Sequence, residues 1–515
     1  MPGLGTGRLP GRGSAPRRRL PGSRPAGSPA APSAARSVRA IAWVVGAAVV
    51  CALAAVVAAG PAAGSPPVVA PGLTQAAAEQ LGIQAYEYGI PLMQFVGQAR
   101  RQTSVTVPDR ASDAPVNQLG NARDLARASD QVIVQPNNDT LYTMGHLDLT
   151  RTALVLHVPA IGGGRYYSFE FLDPYTNVFH YVGTRTTGNG AGTFLITGPA
   201  FTGRVPAGLR RIRSAYDHVW LVGRTLADGP RDLPAVHRIQ DGYRIIPQAG
   251  YRARGLAWRP PRPARIVTRP RPAPAPTGLA FFDALGTALA ANPPPRRDAP
   301  ILRSLREVGI GPGLHPSQEH LSAPVRAGLA EAGGNGYVQV QALRTSLAAR
   351  SVATHRGWFV PPELNGAFGT HYAYRAVVAL FGIAANRPAE ALYIIGVASA
   401  GHPGLLDGSH DYVIHFPAGH LPPARFFWSL TMYDSAFRLV RNPIGRYALG
   451  SHTRGLALNP DGSLDIYLQH APPAGHRSNW LPAPAGTFAV TLRLYGPRPG
   501  ALSGRYAYPP IVQTS

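Results

Sequence analysis

The feature that most constrains this chain is a duplication. VLHVPA at residues 155–160 recurs as VIHFPA at 413–418, and each is followed by an aromatic alternating run, YYSFEFLD at 166–173 and FWSLTMYD at 427–434. TFLITGP at 193–199 then resembles LDIYLQHAP at 464–472, and HVWLVGRT at 218–225 resembles FAVTLRLYGP at 488–497. The order is kept throughout, so one β-unit is written twice. Side chains alternate sides along a strand. Tyr167, Phe169 and Phe171 therefore share a face, as do Trp428, Leu430 and Met432, and Phe488, Val490, Leu492 and Leu494. These faces are the expected cores.

Between the copies the texture changes. FFDALGTALAA at 281–291, APILRSLREVGI at 299–310 and the run from 323 to 351 have helical spacing, after a stiff Pro/Arg connector at 264–278. The expected organisation is a tail at 1–40, an apolar segment at 41–60, a linker at 61–75, a first β-domain at 76–263, a connector with helical insert at 264–350, and a second β-domain at 351–515. The fold class is mainly β: two jelly-roll-like β-sandwiches related by the repeat, with helices between them.

Residues 1–40 hold eight arginines and no acidic residue, a composition that stays disordered. The uncharged stretch from Ile41 to Gly60 is long enough for a bilayer core of about 30 Å. The basic flank before it places the amino terminus in the cytoplasm. A retained single-pass anchor is the expectation, with a cleaved signal segment and secretion as the alternative; either way the domains work outside the cytoplasm. The net charge is +24 and every basic residue is arginine. Without aromatic interleaving or a known motif, that charge argues against nucleic acid and suits an anionic envelope surface better.

Cys51, the only cysteine, lies in the apolar segment, so no disulfide or thiolate metal site is available within the domains. HPSQEH at 315–320 is one residue too long for an H-x-x-E-H zinc motif, and of the four histidines between 402 and 420 three flank expected turns. No metal and no cofactor is expected. Ser399 lacks the G-x-S-x-G setting of a hydrolase elbow, and no phosphate or dinucleotide loop is present.

QPNNDTLY, RYYSFEFLDPYTNVF, NPIGRYALG, DGSLDIYLQHAPP and NWLPAPAG resemble motifs of a large family of exported bacterial proteins, catalogued as a domain of unknown function 1254 followed by one numbered 1214. The resemblance covers roughly residues 76–510. It implies paired jelly-roll-like domains with helices between them, and no settled reaction.

The repeat also separates scaffold from site, because polar groups present in one copy only are freer to serve function. Asp173 and Asp434 correspond, as do His157 and His415, and these are read as structural. Glu170 has Thr431 as its counterpart and points away from the aromatic face, which makes it the candidate general acid or base. By its distance from Val155, the QPNND stretch corresponds to IIGVAS and so is unrepeated. Asn137, Asn138 and Asp139, with Tyr142 just beyond, offer amides, a carboxylate and a ring; a turn is the competing explanation. Asn479 and Trp480 supply an amide beside an aromatic face, and Arg446 with Tyr447 an anion contact or a cover for the barrel end.

Two functions follow. One is binding of a glycan or other small polar ligand, extending to hydrolysis if Glu170 and Asp139 form a glycosidase carboxylate pair. The other is a structural or assembly protein without catalysis, forming a homo-oligomer.

Overall fold

The computed structural model describes residues 72–130, 135–263, 276–402 and 404–514. The expected tail, the apolar segment with Cys51, most of the linker and most of the Pro/Arg connector lie outside them. Among the described residues no helix is long and apolar enough to cross a membrane.

The first β-domain contains β1 (Gly120–Asn121), β2 (Thr140–Asp148), β3 (Leu154–Val158), β4 (Tyr167–Leu172), β5 (Val178–Gly183), β6 (Gly192–Thr197), β7 (Arg210–Arg213), β8 (His218–Leu226) and β9 (Arg244–Pro247). The second contains β10 (Trp358–Phe359), β11 (Ala391–Gly396), β12 (Tyr412–Phe416), β13 (Ala424–Asp434), β14 (Ala448–Gly450), β15 (Leu464–Gln469), β16 (Trp480–Pro482), β17 (Phe488–Pro497) and β18 (Ile511–Gln513). The sheet orders β1-β2-β8-β4-β5 and β10-β11-β17-β13-β14 are identical strand for strand, as are β7-β6-β3-β9 and β16-β15-β12-β18. Even the one parallel pair in each unit matches, β6 with β7 and β15 with β16. The duplication is therefore one of complete topology. Each unit is a sandwich of an open five-stranded and an open four-stranded sheet.

The period-two faces fill the sandwiches as expected. Tyr167, Phe169 and Phe171 pack with Leu154, Leu156 and Ile196 across the first, and Trp428, Leu430 and Met432 with Ile414, Ile466 and Leu468 across the second. The opposite faces are buried too: every residue of β4 and of β17 is inaccessible. The reason is that the two five-stranded sheets turn these faces toward each other. One apolar cluster draws Tyr166 and Leu226 from the first domain and Ala391, Phe427 and Tyr495 from the second, with the Phe427 and Tyr495 rings stacked at 4.0 Å.

Helices complete the molecule: α1 (Gln75–Thr103), α2 (Leu233–Gly242), α3 (Gln248–Arg254), α4 (Leu279–Ala291), α5 (Ala299–Arg306), α6 (Ala323–Thr354), α7 (Tyr372–Phe381) and α8 (Pro499–Leu502). The helical insert is real, but its layer also takes α1 and α7 from either side of it in sequence. Thr74 caps α1 by accepting from the Ala77 amide at 3.2 Å. α1 packs against α6 closely enough that a Cβ on Gly82 would stand 2.5 Å from that of Ala332, so Gly82→Val separates the helices.

α1 is joined to the first sheet through His146 on β2. Its Nε2 meets Gln102 Oε1 at 2.8 Å, and its ring stacks on Trp220 at 5.4 Å. Burial, aided by the positive charge of Arg101, holds this histidine down at about 3. In the unfolded chain it titrates near 6.5, so below that pH the unfolded state takes up a proton that the folded state refuses. Its stabilising effect is complete above pH 6.5 and is lost progressively as the pH falls toward 3. From pH 7 to pH 5 this one residue should remove about 2 kcal/mol. Urea unfolding of His146→Leu at both pH values should show a correspondingly smaller acid loss than wild type.

Candidate functional site

Strand register fixes which residues of the two copies correspond at the domain interface. Tyr142 pairs with Arg224 and Tyr393 with Arg493; Arg224 pairs onward with Ser168 and Arg493 with Ser429. QPNNDTLY at 135–142 therefore superposes on NRPAEALY at 386–393. The backbone agrees, since Ala227 N donates to Asp139 O at 2.9 Å and Gly496 N to Glu390 O at 2.8 Å. This corrects the expectation that IIGVAS is the counterpart: QPNND corresponds to NRPAE, so Asp139 has an equivalent in Glu390, whereas Asn137 and Asn138 correspond to Pro388 and Ala389 and are not repeated.

Each segment reaches across to the other domain. From the first, Gln135 O accepts from Arg493 Nη2 at 3.2 Å, Asn137 Nδ2 donates to the Tyr495 hydroxyl at 2.8 Å, and Asp139 Oδ2 accepts from Ser429 Oγ at 2.5 Å. From the second, Asn386 Oδ1 accepts from Tyr181 at 3.2 Å and from Arg224 Nη1 at 3.3 Å, while Glu390 Oε1 accepts from Tyr166 at 2.8 Å.

Between these straps, the strands and the helices lies a cavity of about 220 Å³. Arg224, Arg493, Tyr142 and Tyr393 form its polar side, two equivalent pairs facing each other, and Gln135 and Asn137 border it. Arg344 of α6 and Val377, Val378 and Phe381 of α7 close the other side. Three arginines line it and no carboxylate does.

The three cations differ in what holds them. Arg224 is 4% exposed and its Nη1 sits 2.7 Å from Glu170 Oε2. Burial works against its charge, but the Glu170 carboxylate together with Tyr393 and Tyr142 outweighs it and holds the guanidinium protonated. At the equivalent place Arg493 finds Thr431, not a carboxylate; its Nη1 donates to Thr431 Oγ1 at 2.7 Å and its Nη2 to the Tyr433 hydroxyl at 2.6 Å. Arg344 has no hydrogen bond or carboxylate partner among the described residues and lies over the Phe381 ring at 4.5 Å. Burial pushes it down to about 10. Arg344 is thus the cation with no acid beside it, while Arg493 lies in the field of Asp139 without an ion-pair contact.

The residues singled out in the sequence scatter around this geometry. Glu170 is fully buried, not facing solvent, because the second domain covers its side of the sheet. Burial raises its carboxyl, against the charge and hydrogen bond of Arg224. Its other oxygen accepts from Tyr181 at 3.3 Å, and it lines neither this cavity nor a second one of about 290 Å³. Asp139 lines the second cavity with Asn138 and Arg446. The two carboxylates therefore open onto no common space. Asn137 and Tyr142 line the first cavity, but Asn137 spends its amide on Thr140 at 2.9 Å and Tyr495 and its carbonyl on the Asp139 amide at 2.6 Å. Asn138 donates to Ala126 O at 2.6 Å.

Asn479 and Trp480 line neither cavity. Asn479 Nδ2 donates to the carbonyls of Ala457 and Asp465 at 2.7 and 2.9 Å, and its Oδ1 accepts from Ala457 N at 2.9 Å. Trp480 is 2% exposed, with Nε1 on Gln469 O at 2.8 Å. Arg446 Nη1 binds the carbonyls of Arg477, Ser478 and Trp480. Together they pin β16. Asp173 and Asp434 cap matching turns, each accepting from two following amides at 2.9 Å.

The cavity-lining residues not anticipated from the sequence are Arg224, Arg493, Arg344 and Tyr393. Aligning the Leu-Tyr dipeptide at 141–142 with that at 392–393 finds Tyr393 from sequence; Arg224 and Arg493 stand in the matched GRT and LRL segments, while Arg344 lies in the helical run and has no counterpart in the repeat.

Removing Glu170 should act on stability, by leaving a buried guanidinium unpaired. Glu170→Gln is expected to cost about 3–5 kcal/mol in urea unfolding, the scale for breaking a buried ion pair on one side.

Comparison with known proteins supports the architecture. The VPA0106 protein of Vibrio parahaemolyticus has a similar fold, with a TM-score of 0.61 at 23% identity over 85% of this chain and 100% of that one. An uncharacterized protein of Burkholderia cenocepacia matches at a TM-score of 0.40 and 13% identity, over 85% and 93%. No curated protein matches. Two family models match within the paired sandwiches: the chain carries DUF1254, a protein family of unknown function, at residues 116–247, followed by DUF1214, likewise of unknown function, at residues 390–499.

Proposed function

We propose that the protein binds a small organic acid in the cavity between its two β-sandwich domains, and that Ile41–Gly60 tethers these domains outside the cytoplasm. The observation that carries the reading is the charge of the cavity wall: three arginines and no lining carboxylate, with Arg224 paired to Glu170, Arg493 in the field of Asp139 without an ion-pair contact, and Arg344 with no acid beside it. Cations held in a partly dry site with no counter-ion are stabilised by an anion. The volume of about 220 Å³ falls below the range of roughly 300–1,000 Å³ usual for drug-sized ligands, so the ligand is small. Val377, Val378, Phe381, Ile383 and Ile395 give it an apolar wall, which suits a carboxylate on an aromatic or short alkyl body.

A saccharide ligand draws support from the amides near the cavity, yet Asn137 and Asn138 already make internal bonds and Asn479 and Trp480 lie elsewhere. An acidic sugar keeps the arginine contacts and is the form in which that reading is worth testing. The function proposed is binding; Glu170 and Asp139 open onto no common space in which a glycosidic bond could sit between them.

Calorimetric titration of the full chain with benzoate, hexanoate and glucuronate tests this. Benzoate or hexanoate should bind, and Arg344→Gln and Arg493→Gln should each weaken binding roughly tenfold or more, the loss of a charge-assisted hydrogen bond worth about 1.5–3 kcal/mol. Binding of glucuronate alone would favour the saccharide reading, and binding of none of the three would overturn the proposal.

A further inference from the structure

The duplication supplies an internal reference for the second cavity. Around Glu390 the site is filled: Oε1 accepts from the Tyr166 hydroxyl, and Oε2 accepts from Arg185 Nε at 2.6 Å. Glu390 is 1% exposed, and the Ser168 hydroxyl lies 3.1 Å from the same Tyr166 oxygen, to which it can donate.

Around Asp139 the equivalent residues differ. Phe427 replaces Tyr166, so the phenolic donor is gone and Ser429, the counterpart of Ser168, bonds Asp139 Oδ2 directly at 2.5 Å. Gly183 pairs with Ser168 and Gly450 with Ser429, and Arg185 and His452 stand two residues beyond those glycines. His452 thus occupies the place of Arg185, and it turns to Asp228, its Nδ1 3.3 Å from Asp228 Oδ1. Aspartate is also one methylene shorter than glutamate. The result is a cavity of about 290 Å³ beside a carboxylate whose Oδ1 has no hydrogen-bond partner among the described residues.

We propose that this second cavity binds a small organic cation, a guanidinium or primary ammonium group, which takes at Asp139 the place that the Arg185 side chain holds at Glu390. Asp228 adds a second carboxylate to the wall. The cations that also face the cavity are engaged: Arg446 Nη1 by three backbone carbonyls, His452 by Asp228, and Arg454 lies within the field of Asp232. Arg493 acts on Asp139 from the first-cavity side without an ion-pair contact. Burial raises the Asp139 carboxyl above the usual range, against Arg493, Ser429 and His452, so the carboxylate is an incompletely compensated charge.

The test uses methylguanidine and ethylamine at low millimolar concentration with the full chain, read by calorimetry and thermal unfolding. Wild type should bind at least one of them and unfold at a higher temperature in its presence. His452→Arg, which rebuilds the filled arrangement of the other copy, should raise the basal unfolding temperature and lose that binding. Asp139→Asn should lose it as well, and His452→Arg should keep benzoate binding in the first cavity, which separates this proposal from the preceding one. Arg185→Ala should lower the unfolding temperature, with part of the loss restored by methylguanidine. No binding to wild type, or binding undiminished in both His452→Arg and Asp139→Asn, would overturn the proposal.

Discussion

The structure depends on burying two arginines where two sheets meet. Arg224 and Arg493 occupy equivalent positions on the central strands β8 and β17, 4% and 3% exposed, on faces that in a lone sandwich would meet water. A charge removed from water is costly unless it is hydrogen-bonded or paired. Each guanidinium draws its partners from both domains: Arg224 from Glu170, Asn386 and Ala384 O, Arg493 from Thr431, Tyr433 and Gln135 O. Apolar sheets could slide against each other at little cost. These bonds permit one docking.

That docking explains why the straps exist. Residues 135–139 and 386–390 lead into β2 and β11 and carry their polar groups across the interface, where backbone carbonyls and side chains serve as acceptors for arginines of the opposite copy. It also explains the placement of the first cavity. Two twisted sheets meeting face to face diverge toward their edges, and here α6 and α7 roof the gap without filling it. The polar side is inherited from the repeat and the apolar side from the helices, so a ligand with an acidic end and an apolar body matches the way the space is built.

The strands were legible because alternation and duplication reinforced each other; each matched sequence pair became a matched strand pair. The second buried face was not legible. YSFEFL reads as one apolar face and one polar face, and nothing within six residues shows that another domain will cover the polar one. Glu170 is visibly unmatched in the repeat, but its role as the counter-ion of Arg224 depends on residues far away in sequence. The counterpart of QPNND is hidden by connection length. Tyr142 precedes Val155 by thirteen residues and Tyr393 precedes Val413 by twenty, so counting back from β3 and β12 ignores a longer connection in the second copy. Asn479 and Trp480 have the composition of a sugar platform, yet every amide and indole donor is consumed by backbone carbonyls, which composition cannot reveal.

The rule that function lies where the copies disagree therefore needs restating. Arg224 and Arg493 agree between copies and still line the cavity, because the fold requires them. What differs is their compensation. Glutamate faces one guanidinium and threonine the other; Arg185 satisfies one interface carboxylate, while His452 leaves its equivalent open. A duplicated interface can lose a compensating partner on one side without losing the docking, because the other side still holds the register. The residual charge is then available to a molecule that supplies the missing partner. By this logic the first cavity, with no carboxylate in contact with Arg344 or Arg493, suits an anion, and the second, with no guanidinium in contact with Asp139, suits a cation.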